Sequence, residues 1–228
     1  VNSRNHERVI EEAIMDHPEQ LGYPGALAVR EFYFGHYRDK EEKEGGGRPD
    51  VLLLPILPTA GAHQLVIIEA KYVETDGKTV QQLRQHYEDA RKKAVHELRQ
   101  YYEDAQDRLG SHGLKHLRNF ARKNPERARS TGHTKPKHIF DGFRGDEVLE
   151  KMKKGTKLKP DETGLFVALG GTTLPDSVER ELVKACENER PNMGVVILEE
   201  GLEEGLPRVI WKIVVANRIT ETDRSTTP

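Results

Sequence analysis

Asp50, Glu69 and Lys71 are the residues whose types and spacing best fit a chemical task. Asp50 follows Arg48-Pro49 and opens the run Val51-Leu52-Leu53-Leu54, while Glu69-Ala70-Lys71 closes the run Leu65-Val66-Ile67-Ile68. Short runs of branched apolar residues read as buried strands. If the two pair as a hairpin, the Asp at the start of one comes level with the Glu and Lys at the end of the other. Unpaired charge is expensive to bury, so such a cluster at the end of buried strands needs a reason. Two carboxylates and an ammonium converging there suit a divalent metal and a phosphate. The alternative is a surface hairpin whose terminal charges are solvated.

Pro49-Asp50 followed by Glu69-Ala70-Lys71 resembles the signature of the PD-(D/E)xK nucleases. The stretch from about Asn5 to Tyr87 is similar to their NucS-like and RecB-like branch. It holds a helix ending in His17-Pro18-Glu19, an Arg30-Glu31-Phe32 strand, the Pro-Asp strand, the Glu-x-Lys strand and a helix opening with Gln82-Leu83. The resemblance implies an α/β, restriction-endonuclease-like core with a mixed central sheet flanked by helices. It also implies hydrolysis of DNA phosphodiesters, RNA being second choice, with Mg2+ or Mn2+ as cofactor. Asp50 and Glu69 would be the metal ligands, with the Ala70 carbonyl as a third. An N-terminal helical Glu completes the site in many members, and this carries over best to Glu11, with Glu7 as second choice. RecB-like relatives border the site with Gln-Leu-x-x-Tyr on the next helix. Here the text is Gln82-Leu83-Arg84-Gln85-His86, so His stands where Tyr is usual and Tyr87 comes one place late. Gln82 carries over as a phosphate or water contact, its alternative being an exposed polar residue of the helix.

Phosphodiester hydrolysis needs an attacking hydroxide, charge stabilisation at phosphorus and help for the leaving oxygen. A divalent metal on hard oxygen ligands can supply all three. Lys71 either orients or deprotonates the attacking water, or pairs with the phosphate. Beside two carboxylates its ammonium should stay charged, which favours the electrostatic role. Zinc fits poorly, because no Cys or His pair with ligand spacing lies near these strands. His112 and His116 have i, i+4 spacing but lack the Glu of a zinc hydrolase motif, and with His133 and His138 they read as surface or phosphate-facing residues. Two further function classes stay open: a nucleic-acid-binding module that does not cut, and a helical scaffold in which Asp, Glu and Lys form an inert ion pair.

The chain has 228 residues, enough for one large domain over 1–228 carrying an insertion. Charged residues make up 32% and mean hydropathy is −0.74. No apolar run approaches the roughly 20 residues of a membrane span, and the amino end is polar, without a signal-peptide pattern. Beginning at Val1 rather than Met suits a piece excised from a longer protein. The single cysteine, Cys186, excludes an internal disulfide and reads as packing within a helix. A cytoplasmic location, with no membrane partner, is the default expectation. Net charge is −2, but from Gln106 to Pro160 there are 15 Lys and Arg against 6 Asp and Glu. This basic stretch, at about 110–160, lacks the apolar density of a core and reads as an insertion with two short amphipathic helices. Lys115, Arg118 and Arg122 are its candidate contacts to the nucleic-acid backbone, the alternative being a solvated loop.

Other elements must position the cluster. Apolar spacing predicts a helix over Ser3 to Asp16 with Val9, Ile10, Ala13 and Ile14 on one face. Strands are expected at 26–34, 50–55, 64–72, 165–169, 194–199 and 208–216, and a helix at 176–189. Gly170-Gly171-Thr172-Thr173 lacks the Lys of a phosphate loop and reads as a turn. A long helix from Thr79 to Leu109 contains Leu83-Arg84-Gln85-His86-Tyr87-Glu88-Asp89-Ala90, which nearly recurs 15 residues later as Leu98-Arg99-Gln100-Tyr101-Tyr102-Glu103-Asp104-Ala105. At roughly 45 Å the helix outruns a small sheet. Its second half, around Leu98, Tyr101, Tyr102 and Ala105, needs a cover, either the insertion or, as the favoured expectation, a second copy in a homodimer.

Overall fold

The computed structural model describes residues 3–32, 48–55, 63, 65–74, 77–108, 120, 123–130, 163–171, 175–189, 193–203 and 206–212. In chain order they form α1 (Ser3–Asp16), β1 (Leu27–Arg30), β2 (Val51–Leu54), β3 (Leu65–Tyr72), α2 (Val80–Arg108), β4 (Ala128–Ser130), β5 (Thr163–Gly171), α3 (Asp176–Glu187), β6 (Gly194–Glu203) and β7 (Leu206–Lys212). The strands make one sheet in the order β4-β1-β2-β3-β5-β6-β7. Its β4-β1-β2-β3 half is antiparallel, β3, β5 and β6 run parallel, and β7 returns antiparallel. The protein is thus an α/β fold with a mixed sheet flanked by helices.

Period-two alternation divides the core between the two faces of the sheet. Leu52, Leu54, Leu65, Ile67, Leu165 and Val167 join Tyr87, Ala94, Leu98, Val178 and Leu182 on the face carrying α2 and α3. Ala28, Val51, Leu53, Val66, Ile68 and Ala70 pack with Ile10, Ile14 and Met15 under α1. Both faces are covered, so β2 is apolar at every position and β5 is buried throughout. Cys186 is buried on the α3 side, as its helical setting implied. Val9, expected on the apolar face of α1, is 46% exposed, and Met15 takes a place in the core instead.

Three expectations change. Leu98 and Ala105 of α2 are buried within the single chain, and Tyr101 and Tyr102 pack against the same core, so this half of the helix has a cover without a second copy. The basic stretch is not wholly outside the core. Ala128–Ser130 pair antiparallel with β1 as the edge strand β4, Ala128 is buried, and Phe120 meets Phe32 edge-to-face at 5.4 Å. Three residues with one apolar side chain give no strand signal, and the pairing comes entirely from the open edge of β1. Gly170 and Gly171, expected in a turn, continue β5. Lys115, Arg118, Arg122 and the four histidines of the basic stretch lie outside the described residues.

Gly170 is needed where α1 crosses the sheet, since a Cβ there would collide with Ile10. Gly170→Ala should therefore displace the helix that carries Glu11 and lower stability by about 1–3 kcal/mol, the usual result of overpacking a filled core. Thermal or denaturant melts check this, and an unchanged midpoint would mean that α1 has room to give.

Candidate active site at the open end of the β2–β3 hairpin

The hairpin brings the sequence-predicted acids and lysine together. Val51 is level with Ile68, so Asp50 stands beside the Glu69 end of β3, and the Ala70 N–H donates to Asp50 Oδ2 at 2.7 Å. Alternation then decides direction. Ile68 and Ala70 face α1, so Glu69 and Lys71 face α2. On that side the Lys71 ammonium donates to Glu69 Oε1 and lies 2.7 Å from Glu97 Oε2. Lys71 is thus clamped between a carboxylate of its own strand and one from α2. Glu69 is 3% exposed, and its second oxygen, Oε2, is buried without any hydrogen-bond partner.

Burial shapes the electrostatics of this cluster. Desolvation pushes Asp50 up to about 6, against the Ala70 hydrogen bond and the Lys71 charge, which pull it down. Desolvation first, then the Asp50 charge and the neighbouring Glu97 carboxylate, hold Glu69 well above the ordinary carboxylate range. Burial also disfavours the charge on Glu97, but its surroundings at Glu69 and the Lys71 ammonium outweigh this and hold it low. Burial alone would depress Lys71, yet Glu69, Glu97 and Asp50 raise it, so its ammonium is fixed as a cation. The Tyr101 phenol, one turn beyond Glu97, is pushed up by burial and by the charges of Glu69, Glu97 and Asp50.

Glu11 reaches the cluster from the other face. It is 9% exposed and pushed up to about 8, first by burial and then by the charges of Asp50 and Glu31, with Arg30 opposing. Among the described residues no three Asp, Glu, His or Cys side chains converge as a ligand group. Glu11 is carried by α1, which packs on the sheet face opposite to the one Glu69 points to. It lies within the field of Asp50, whose charge helps to raise it. Glu7 is also within reach of Asp50, whose charge-bearing form it disfavours.

Gln82 is not at the cluster. It is exposed, its Oε1 accepts from the Thr79 N–H at 2.9 Å and the Thr79 hydroxyl at 3.1 Å, and Thr79 Oγ1 accepts from the Gln82 N–H at 3.3 Å. Thr79 and Gln82 are the reciprocal cap that starts α2. Glu97 lies 15 residues further on, or roughly 22 Å along the helix. Gln82→Ala should consequently lower stability by about 1 kcal/mol and leave the chemistry of the cluster untouched, and a melting midpoint equal to wild type would mean that the cap contributes nothing.

The residues that sequence reasoning missed are Glu97 and Tyr101, and the 15-residue repeat held the signal. Its second copy reads Glu97-Leu98-Arg99-Gln100-Tyr101, which meets the Gln-Leu-x-x-Tyr spacing with Glu for Gln and with Tyr in its proper place. The first copy, with His86 in that place, makes the helix cap.

Oxygen donors from Asp50 and Glu69, one of them a buried orphan, fit a hard divalent cation of the Mg2+ or Mn2+ type, which takes one or two carboxylates and completes its shell with water and phosphate. No family model, curated protein or solved structure matches the chain.

Proposed function

We propose that the protein is a metal-dependent nuclease of the PD-(D/E)xK type, with a restriction-endonuclease-like core, that hydrolyses DNA phosphodiesters. The observation that carries this reading is the convergence of Asp50, Glu69 and Lys71 at one end of a buried hairpin, with Glu69 Oε2 buried and unpartnered. An inert ion-pair cluster accounts for the Lys71 clamp but leaves that orphaned oxygen unexplained, since buried polar atoms are normally satisfied.

Asp50, Glu69 and the Ala70 carbonyl would hold Mg2+ or Mn2+, which when bound supplies Lewis-acid activation of phosphate and water. The Ala70 N–H fixes one Asp50 oxygen and so orients the other. Glu97 holds Lys71 on the α2 side and keeps it charged. A charged ammonium cannot accept a proton, so Lys71 stabilises negative charge on the phosphate rather than acting as base. Tyr101 lies within the field of the same carboxylates and stays neutral, able to donate a hydrogen bond to a phosphate oxygen.

Incubation with labelled single-stranded, double-stranded and branched DNA, and with RNA, tests the reading. Cleavage should appear with magnesium or manganese and vanish with chelator. Failure to cut any of these substrates with either metal would overturn it.

A further inference from the structure

Among the described residues, almost nothing holds the buried cation Arg30. It ends β1 on the face under α1, is 8% exposed, and its Nε is buried without a hydrogen-bond partner. Its one polar contact among the described residues is long: Arg30 Nη1 to Glu12 Oε1 at 3.4 Å. That same Glu12 oxygen is taken by Arg8 Nε at 3.1 Å, and Glu12 is 38% exposed. A guanidinium offers five donors, and burying it against one shared, half-solvated carboxylate is unfavourable. Arg30 nonetheless sits at the site. It is level with Val51, its neighbour Glu31 donates its N–H to the Asp50 carbonyl at 3.1 Å, and its charge acts on Glu11 beside Asp50.

We propose that Arg30 is the anion-anchoring residue of the site, taking a phosphodiester group of the bound nucleic acid on the α1 side while Lys71 serves the α2 side. The proposal rests on the nuclease reading above. The two cations stand on opposite faces of the sheet end, with Asp50 between them. A phosphate held there would offer two oxygens to the planar fork of Arg30, a bidentate contact that Glu12, touching it through one oxygen, does not supply. Acids surround this end of the sheet (Glu7, Glu11, Glu31 and Asp50), so an anion needs a dedicated cation to approach.

Steady-state cleavage of a labelled oligonucleotide with magnesium, by wild type, Arg30→Gln, Arg8→Gln and Glu12→Gln, tests the proposal. Arg30→Gln should raise KM about tenfold, the size of one charge-assisted hydrogen bond, and change kcat by less than about twofold. Arg8→Gln removes the same charge from the same carboxylate at an exposed position and should leave KM unchanged. Glu12→Gln frees Arg30 from the one carboxylate it contacts among the described residues and should lower KM, which a purely structural ion pair would not do. Should Arg30→Gln fail to fold, Glu12→Gln decides alone, and a KM that stays level or rises overturns the proposal. A wild type that cleaves with KM indifferent to Arg30→Gln, or equally sensitive to Arg8→Gln, overturns the proposal but not the nuclease reading. A wild type that neither cleaves nor binds the oligonucleotide overturns both.

Discussion

Asp50→Ala and Lys71→Ala should each lower cleavage by about two to four orders of magnitude, the usual cost of removing one element of a preorganised electrostatic site, while the circular dichroism spectrum stays that of the native fold. Asp50 precedes β2 and its side chain accepts from the Ala70 N–H, so its loss leaves the hairpin register to the buried Val51, Leu52 and Leu53. Lys71 differs in what it leaves behind. Without its ammonium, the buried Glu69 and Glu97 carboxylates are left facing each other with no cation between them. Lys71→Ala should therefore lose activity through charge, and Lys71→Arg should recover little, because the clamp is built around a point charge. Cleavage rates with magnesium, measured beside melting curves, check both variants. Full activity in either would remove the central claim.

That triad was legible in the sequence because everything needed to place it is local. Two apolar runs with charges at facing ends fix the hairpin, and period-two alternation sends Glu69 and Lys71 to one face. The partners were less legible because they depend on where helices land. Helix α2 carries many exposed charges, and nothing in its own periodicity says that Glu97, rather than Gln82, faces Lys71. Its apolar stripe predicts which side packs on the sheet but not how far along the helix the site falls. The structure gives Gln82 the alternative weighed for it, an exposed polar residue of the helix, and adds the cap it forms with Thr79. Glu11 differs: the helix and its acid beside the apolar stripe follow from local periodicity, but the face of the sheet on which α1 docks does not. Strand β4 was illegible for a third reason, since Ala128, Arg129 and Ser130 form a strand only because β1 presents an unpaired edge.

The second large effect is on stability, and it runs through pH. Glu11 is pushed from 4.5 up to about 8 in the fold and Asp50 from 3.8 up to about 6, desolvation being the first cause of each. Between the ordinary and the raised value the folded chain keeps a proton that the unfolded chain has lost. Stability from these groups is therefore full below the ordinary carboxylate range and falls as pH rises, through about 6 for Asp50 and about 8 for Glu11. Without added metal the protein should accordingly be more stable near pH 5 than near pH 8. Glu11→Gln removes the ionisation while keeping the shape, so at pH 8 it should exceed wild type by on the order of 3 kcal/mol, or roughly 10 °C in Tm, and match it near pH 4.5. Magnesium acts on the other acid. Because Asp50 must be ionised to hold the cation, added magnesium should raise Tm more at pH 8 than at pH 5, in wild type and Glu11→Gln alike. Melting curves at the two pH values, with and without the metal, separate these effects. Parallel pH profiles for wild type and Glu11→Gln would mean that Glu11 ionises as freely in the fold as in water, and a magnesium shift in Asp50→Ala equal to that of wild type would place the metal elsewhere.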